Sequence, residues 1–187
     1  MREFSAKGYE GASLNTVWAE NAISKGIIYH YFKDKDELYL LCVNQCFEEL
    51  TAYLKAYVKT LSGTPAQQLG MYFAARAHFF AENPLHLGIF CDAVFQPPVK
   101  LETAIADCRR DFDALNISVL TMLLCSAPLR DGVSVAAVVE DFKSYMDFFN
   151  WRFKTEWKRG LSPEEMWKEH EEKCCRQVDI LLHGVLK

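Results

Sequence analysis

The sequence has no run of about 18 uninterrupted apolar residues, which excludes a helix that crosses a bilayer. It also lacks a secretory signal: Met1-Arg2-Glu3-Phe4 leads into neither an apolar core nor a small-residue cleavage site, so a cytoplasmic location is expected and no membrane partner. Period-two alternation and internal repeats are missing, which removes strand-built and solenoid architectures. Glycine-rich phosphate loops are missing too. His30 with Asp34 and His78 with Asp92 are the pairs nearest to acid-base machinery, and no nucleophile completes either. An enzyme is therefore not expected, and no cofactor is implied.

What the chain does contain is apolar mass. Half of the 187 residues are hydrophobic, enough for a substantial core and against disorder. The seven cysteines, Cys42, Cys46, Cys91, Cys108, Cys125, Cys174 and Cys175, are odd in number and irregular in spacing. Reduced thiols of this kind pack as small hydrophobes. Cys42 and Cys46 share a helix face, but no second pair with ligand spacing accompanies them, so no metal is expected.

Net charge is −4, yet it is unevenly placed. From Met1 to Lys35 the cations Arg2, Lys7, Lys25, Lys33 and Lys35 outnumber Glu3, Glu10, Glu20 and Asp34 by one, so all of the net negative charge falls on the remainder. A mildly positive N-terminal segment on an acidic body is compatible with nucleic-acid binding, with a small electrostatic contribution that a dimer would double.

Helical spacing dominates after Lys35, interrupted where Gly, Pro and Ser cluster. Helices are expected over 35–61, 66–82, 85–95, 99–126, 135–158 and 163–186. Ser162-Pro163-Glu164-Glu165 supplies a cap, a proline at the first position and acids near the positive end. The fold class is all-α.

The densest pattern runs from Ser24 to Leu38. Ser24 and Asp34 can each accept from the free N–H groups of a following turn, leaving one short helix between two caps. Within it Ile28, Tyr31 and Phe32 fall on one face that can dock on a core. Lys25, Gly26, Ile27, Tyr29 and His30 point elsewhere, a mixture suited to phosphates and base edges in a major groove. Ser13 can cap a preceding run whose Val17, with Ile23, closes over the docked face, giving a helix-turn-helix.

At these residues the chain resembles the TetR (tetracycline-repressor) family of transcriptional regulators. The resemblance rests on Phe4 with Lys7-Gly8-Tyr9, Ser13 to Val17, Ile23-Ser24-Lys25-Gly26, Tyr29-His30-Tyr31-Phe32-Lys33, and Lys35 with Leu38. It implies a helix-turn-helix DNA-binding domain over 1–41 and a helical effector-binding and dimerisation domain over 42–187. It also implies DNA contacts by Ser13, Asn15, Thr16, Lys25, Gly26, Ile27, Tyr29, His30 and Lys35. Ile27 would offer methyl contact to thymine; Lys25 would reach a guanine edge or a phosphate. Three positions depart from the family pattern. Only Met1 to Ser5 precede Ala6, where the family has a longer, basic first helix; Ala22 stands where a turn glycine is usual; and Trp18 replaces a small residue.

The resemblance further implies a small-molecule effector pocket in the aromatic-rich middle of the chain, with Arg76, His78, His86, Asp92, Asn116 and Trp151 as candidates. A homodimer is implied through the last two helices, whose stripes include Phe142, Tyr145, Phe149, Val178, Leu181 and Leu182. The function implied is a ligand-responsive regulator, a repressor in its simplest form, that binds a palindromic operator of double-stranded DNA as a homodimer and is released by its effector. The alternative that the departures keep open is a helical protein-interaction module with a degenerated DNA reader.

Overall fold

The computed structural model describes residues 1–20, 32–155 and 161–185; within the helices the side chains of Glu20, Leu181, Gly184 and Val185 lie outside that description. Eight α-helices and one 3-10 turn are described, and no strand forms among these residues. They are α1 (Arg2–Gly11), α2 (Leu14–Glu20), α3 (Lys35–Val58), α4 (Pro65–Glu82), α5 (Pro84–Phe95), a 3-10 turn at Val99–Leu101, α6 (Glu102–Cys125), α7 (Val135–Thr155) and α8 (Pro163–Val185). The all-α class stands.

Local chemistry sets most of the boundaries. Asp34 caps α3, its Oδ1 accepting from the Glu37 N–H at 3.0 Å. Thr64 and Gln67 close a reciprocal capping box on α4, and Ser162 with Glu165 makes the same exchange at the start of α8. Two expected ends move. The helix from Lys35 stops at Val58, because Thr60 and Leu61 turn back on the Tyr57 and Val58 carbonyls. The segment expected as one helix over 99–126 opens as a 3-10 turn before α6 begins at Glu102. The described part of α7 runs to Thr155, and its expected end at 158 lies outside the described residues.

Helix α3 is the spine. Its Tyr39, Val43, Cys46, Phe47, Leu50 and Leu54 are all but inaccessible to solvent, and α4, α5 and α6 pack around them. Phe47 meets Phe90 of α5 and Phe112 of α6, each with ring centroids 5.6 Å apart. Aromatic burial of this kind contributes by area first and by tilted ring contact second. Cysteines join in: Cys42, Cys46, Cys91 and Cys174 are buried as hydrophobes, as their spacing implied. No cluster of three or more metal-ligating side chains occurs among the described residues. Nor is any described helix long and apolar enough to cross a membrane.

Candidate functional site

Helix α1 is joined to the body by a kink that only one residue type suits. Gly8 adopts φ 63°, ψ 179°, a backbone conformation open almost solely to glycine, and interrupts α1 there. The kink frees the N–H of Tyr9, which donates to Asp92 Oδ2 at 2.9 Å. A β-carbon on Gly8 would collide with Asp92 Oδ1. Asp92 Oδ2 also accepts from the Tyr39 hydroxyl at 2.6 Å, so one carboxylate ties α1, α3 and α5 together. Burial pushes the Asp92 carboxyl above its ordinary range, while the Tyr39 and Tyr9 donors pull the other way. One turn earlier, Gly88 lets Ser5 sit against α5: a β-carbon there would lie 2.5 Å from the Ser5 carbonyl oxygen.

Tyr9 continues the joint outward. Its hydroxyl donates to Asp36 Oδ1 at 2.5 Å, and Lys100 Nζ reaches both Asp36 oxygens at 2.7 and 2.8 Å. Lys100 and the Tyr9 hydroxyl hold the Asp36 carboxyl below its usual range. Lys35 Nζ lies 4.6 Å from the centroid of the Tyr9 ring. A buried acid, Glu3, receives the Lys7 ammonium at 2.9 Å and the Ser13 N–H at 3.0 Å, fixing the entrance to α2.

Of the residues implied to face DNA, Ser13, Asn15 and Thr16 stand at the start of α2, with Asn15 exposed, and Lys35 opens α3. Lys25, Gly26, Ile27, Tyr29 and His30 lie outside the described residues, as does Ala22. Trp18, the bulky departure in α2, is buried.

A cavity of about 230 Å³ opens among α4, α5, α6, α7 and α8. Phe90 and Val94 of α5, Tyr72 and Phe73 of α4, Phe112 of α6 and Phe142 of α7 give it apolar walls. Arg76 enters from α4 and is 8% exposed; its Nη2 donates to both Glu171 oxygens at 2.8 Å. Burial works against the guanidinium charge, but Glu171 outweighs it and keeps Arg76 ionised. His170, 5% exposed, lies beside it, with Nε2 at 3.0 Å from Asn150 Oδ1. Burial first, then the nearby Arg76 and Lys173 charges, lowers its pKa to about 3, so the imidazole is neutral. The Tyr72 hydroxyl donates to Asn116 Oδ1 at 2.7 Å.

Only Arg76 and Asn116 of the six pocket candidates line this cavity. The other four are placed elsewhere. His78 is exposed on α4; His86 pairs with Glu49 of α3 at 2.8 Å; Asp92 belongs to the α1 joint; and Trp151 is 59% exposed on α7. Spacing put polar groups among aromatics without saying which way each points. His170 was within reach of the sequence, since it falls in the inward stripe of α8 with Met166 and Cys174. Its partner Glu171 was not, because a glutamate among glutamates and lysines reads as solvated surface.

The stripes expected to face a partner subunit are largely turned inward. Val178 and Leu182 are buried within one chain, against α4, and Phe142 faces the cavity. Tyr145 and Phe149 are half-buried along the groove between α7 and α8, and the side chain of Leu181 lies outside the described residues. The large apolar groups left outside on these helices are Phe148, Trp151 and Ile180, at 55%, 59% and 58% exposure.

Fold and geometry define an all-helical protein with a small N-terminal unit pinned to a helical body that holds a cavity. Residues 1–42 match the family model for bacterial regulatory proteins of the tetR family. The Transposon Tn10 TetC protein of Escherichia coli is 30% identical over 63 residues, a stretch covering 34% of this chain and about a third, 32%, of that relative. FadR of Bacillus subtilis, solved in complex with stearoyl-CoA, superposes with a TM-score of 0.63 at 13% identity, covering 91% of each chain. A TetR-family transcriptional regulator from Chloroflexus aurantiacus J-10-FL gives 0.57 at 19% identity over 99% of this chain and 88% of that one. Over residues 1–42 the chain is thus similar in sequence to the tetR family of bacterial regulatory proteins, and over its whole length it shares the fold of the solved regulators.

Proposed function

We propose that the chain is a ligand-responsive DNA-binding regulator acting as a homodimer on a palindromic operator, with repression as its simplest mode. The N-terminal unit, 1–41, reads DNA; the body, 42–187, binds effector and dimerises. Ser13, Asn15, Thr16, Lys25, Gly26, Ile27, Tyr29, His30 and Lys35 form the DNA-contacting set.

The observation that carries this reading is the position of α5 between reader and cavity. Gly88 and Asp92, four residues apart, face α1; Phe90 and Val94, offset by two residues and so turned about 200° at 100° per residue, line the cavity. One rigid helix thus touches both the reader and the effector space. A ligand that displaces Phe90 or Val94 moves Gly88 and Asp92, and with them Ser5 and Tyr9 of α1. Repression follows when DNA and effector favour opposite settings of α5. In a dimer formed through α7 and α8, on which Phe148, Trp151 and Ile180 are exposed, two readers would stand about one DNA turn apart.

A salt titration of the full-length protein on DNA from upstream of its own coding sequence tests the reading. Affinity should fall steeply with salt, and Lys35→Ala should weaken binding and lower the salt slope by about one. Absence of binding at low salt would reject it in favour of an interaction module.

A further inference from the structure

Two buried polar atoms on side chains that line the cavity have no partner among the described residues, and together they specify a ligand chemistry. Arg76 spends Nη2 on Glu171, while its Nε–H is buried and unpaired. His170 commits Nε2 to Asn150 Oδ1, which as a carbonyl oxygen can only accept; Nε2 therefore carries the proton, and Nδ1 is left as a bare, buried acceptor. Both side chains line the same cavity and border one ring: the Arg76 guanidinium lies 5.1 Å from the Trp167 centroid, and the His170 ring stacks on Trp167 at 6.2 Å. Leaving a buried donor or acceptor unpaired is costly, so a ligand group that satisfies both gains affinity on binding.

We infer that this cavity takes an uncharged, mainly apolar ring compound bearing a hydroxyl group, which donates to His170 Nδ1 and accepts from Arg76 Nε–H. The inference rests on the cavity being the effector site proposed above. A hydroxyl is the smallest group that both gives and takes a hydrogen bond. A carboxylate fits poorly, because Glu171 already neutralises Arg76 and the Nδ1 lone pair would face a second anionic oxygen. An ammonium has no acceptor for the Arg76 Nε–H, even though Asp113 and Asp147 line the same cavity. The body of the ligand is set by Tyr72, Phe73, Phe90, Phe112 and Phe142, whose faces suit flat apolar surface. At about 230 Å³ the space exceeds the roughly 150 Å³ apolar cavity that accommodates benzene, which points to one or two fused rings rather than a long chain.

Equilibrium dialysis of the full chain against naphthalene, 2-naphthol and 2-naphthoate at neutral pH separates the alternatives. The expected result is one 2-naphthol per chain, bound roughly tenfold more tightly than either of the others. His170→Phe, which places a six-membered carbon ring among Phe95, Phe149 and Phe153, should erase the advantage of 2-naphthol over naphthalene. If that variant does not fold, the paired change Arg76→Met with Glu171→Met should do the same by removing the donor without stranding a charge. Preference for 2-naphthoate overturns the hydroxyl assignment and leaves the effector-site reading standing. An advantage of 2-naphthol that survives both variants overturns the roles of His170 and Arg76. Failure of all three probes to bind overturns the inference together with the pocket reading. Loss of DNA binding with 2-naphthol preference intact removes the regulator reading alone.

Discussion

The Asp92 carboxylate occupies the space that a β-carbon on Gly8 would fill, and it accepts the N–H that the Gly8 kink exposes on Tyr9. The two residues are far apart in sequence and on different helices, yet each dictates the other. Gly8→Ala should destabilise the protein by about 2 kcal/mol or more, since a side chain must be held in a glycine conformation and Asp92 must also move. Asp92→Ala should cost about 1–3 kcal/mol by stranding the Tyr9 N–H and the Tyr39 hydroxyl. Urea unfolding of each variant measures this; an unchanged midpoint for both would show that the joint contributes nothing.

Acid sensitivity should centre on His170. Its imidazole is neutral in the folded chain, with a pKa near 3, whereas the unfolded chain takes up a proton near pH 6.5. Between those values the unfolded state binds more protons, so stability falls as pH falls, by at most roughly 1.4 kcal/mol per pH unit from this group. Urea midpoints from pH 7 to pH 4 should therefore drop more steeply in the wild type than in His170→Phe. Parallel curves would refute the assignment.

The Arg76–Glu171 pair should show strong non-additivity. Side chains 9% and 14% exposed are removed from water, so Arg76→Met alone should cost about 3–5 kcal/mol by leaving an uncompensated carboxylate. Changing both residues to Met should recover most of that loss. A double-mutant cycle with additive free energies would argue against the buried pair.

Phe148 and Trp151, stacked with centroids 5.9 Å apart on the outside of α7, should govern association. Phe148→Asp with Trp151→Asp should shift sedimentation from dimer to monomer at micromolar concentration and leave thermal stability of the monomer nearly unchanged. Leu182→Ala should instead cost about 2–5 kcal/mol of stability, because that side chain is core within its own subunit. Association that survives the double aspartate change would place the interface elsewhere.

The boundary between legible and illegible in this sequence follows interaction range. Asp34 and Ser162 cap helices through partners three residues away, so their roles were readable from spacing. Cys42, Cys46, Val43, Phe47 and Leu50 recur at helical period, and period alone buries one face. Expected contacts that depended on direction across helices fared differently. Val178 and Leu182 lie on an apolar stripe, but a stripe does not say whether its partner is the same chain or another. His78, His86 and Trp151 are polar or amphipathic groups among aromatics, and none of the three lines the cavity.

By itself the sequence determined the all-helical class and the family pattern over the N-terminal unit, because both are written in local periodicity, caps and a contiguous string of residues. Tertiary structure alone decided that Asp92 pins α1, that α5 faces α1 and the cavity on opposite sides, and that Arg76 and His170 line one cavity. Those relationships join residues up to 95 positions apart, as in Arg76 and Glu171, and nothing in the spacing of a single helix fixes where its neighbour's side chains arrive.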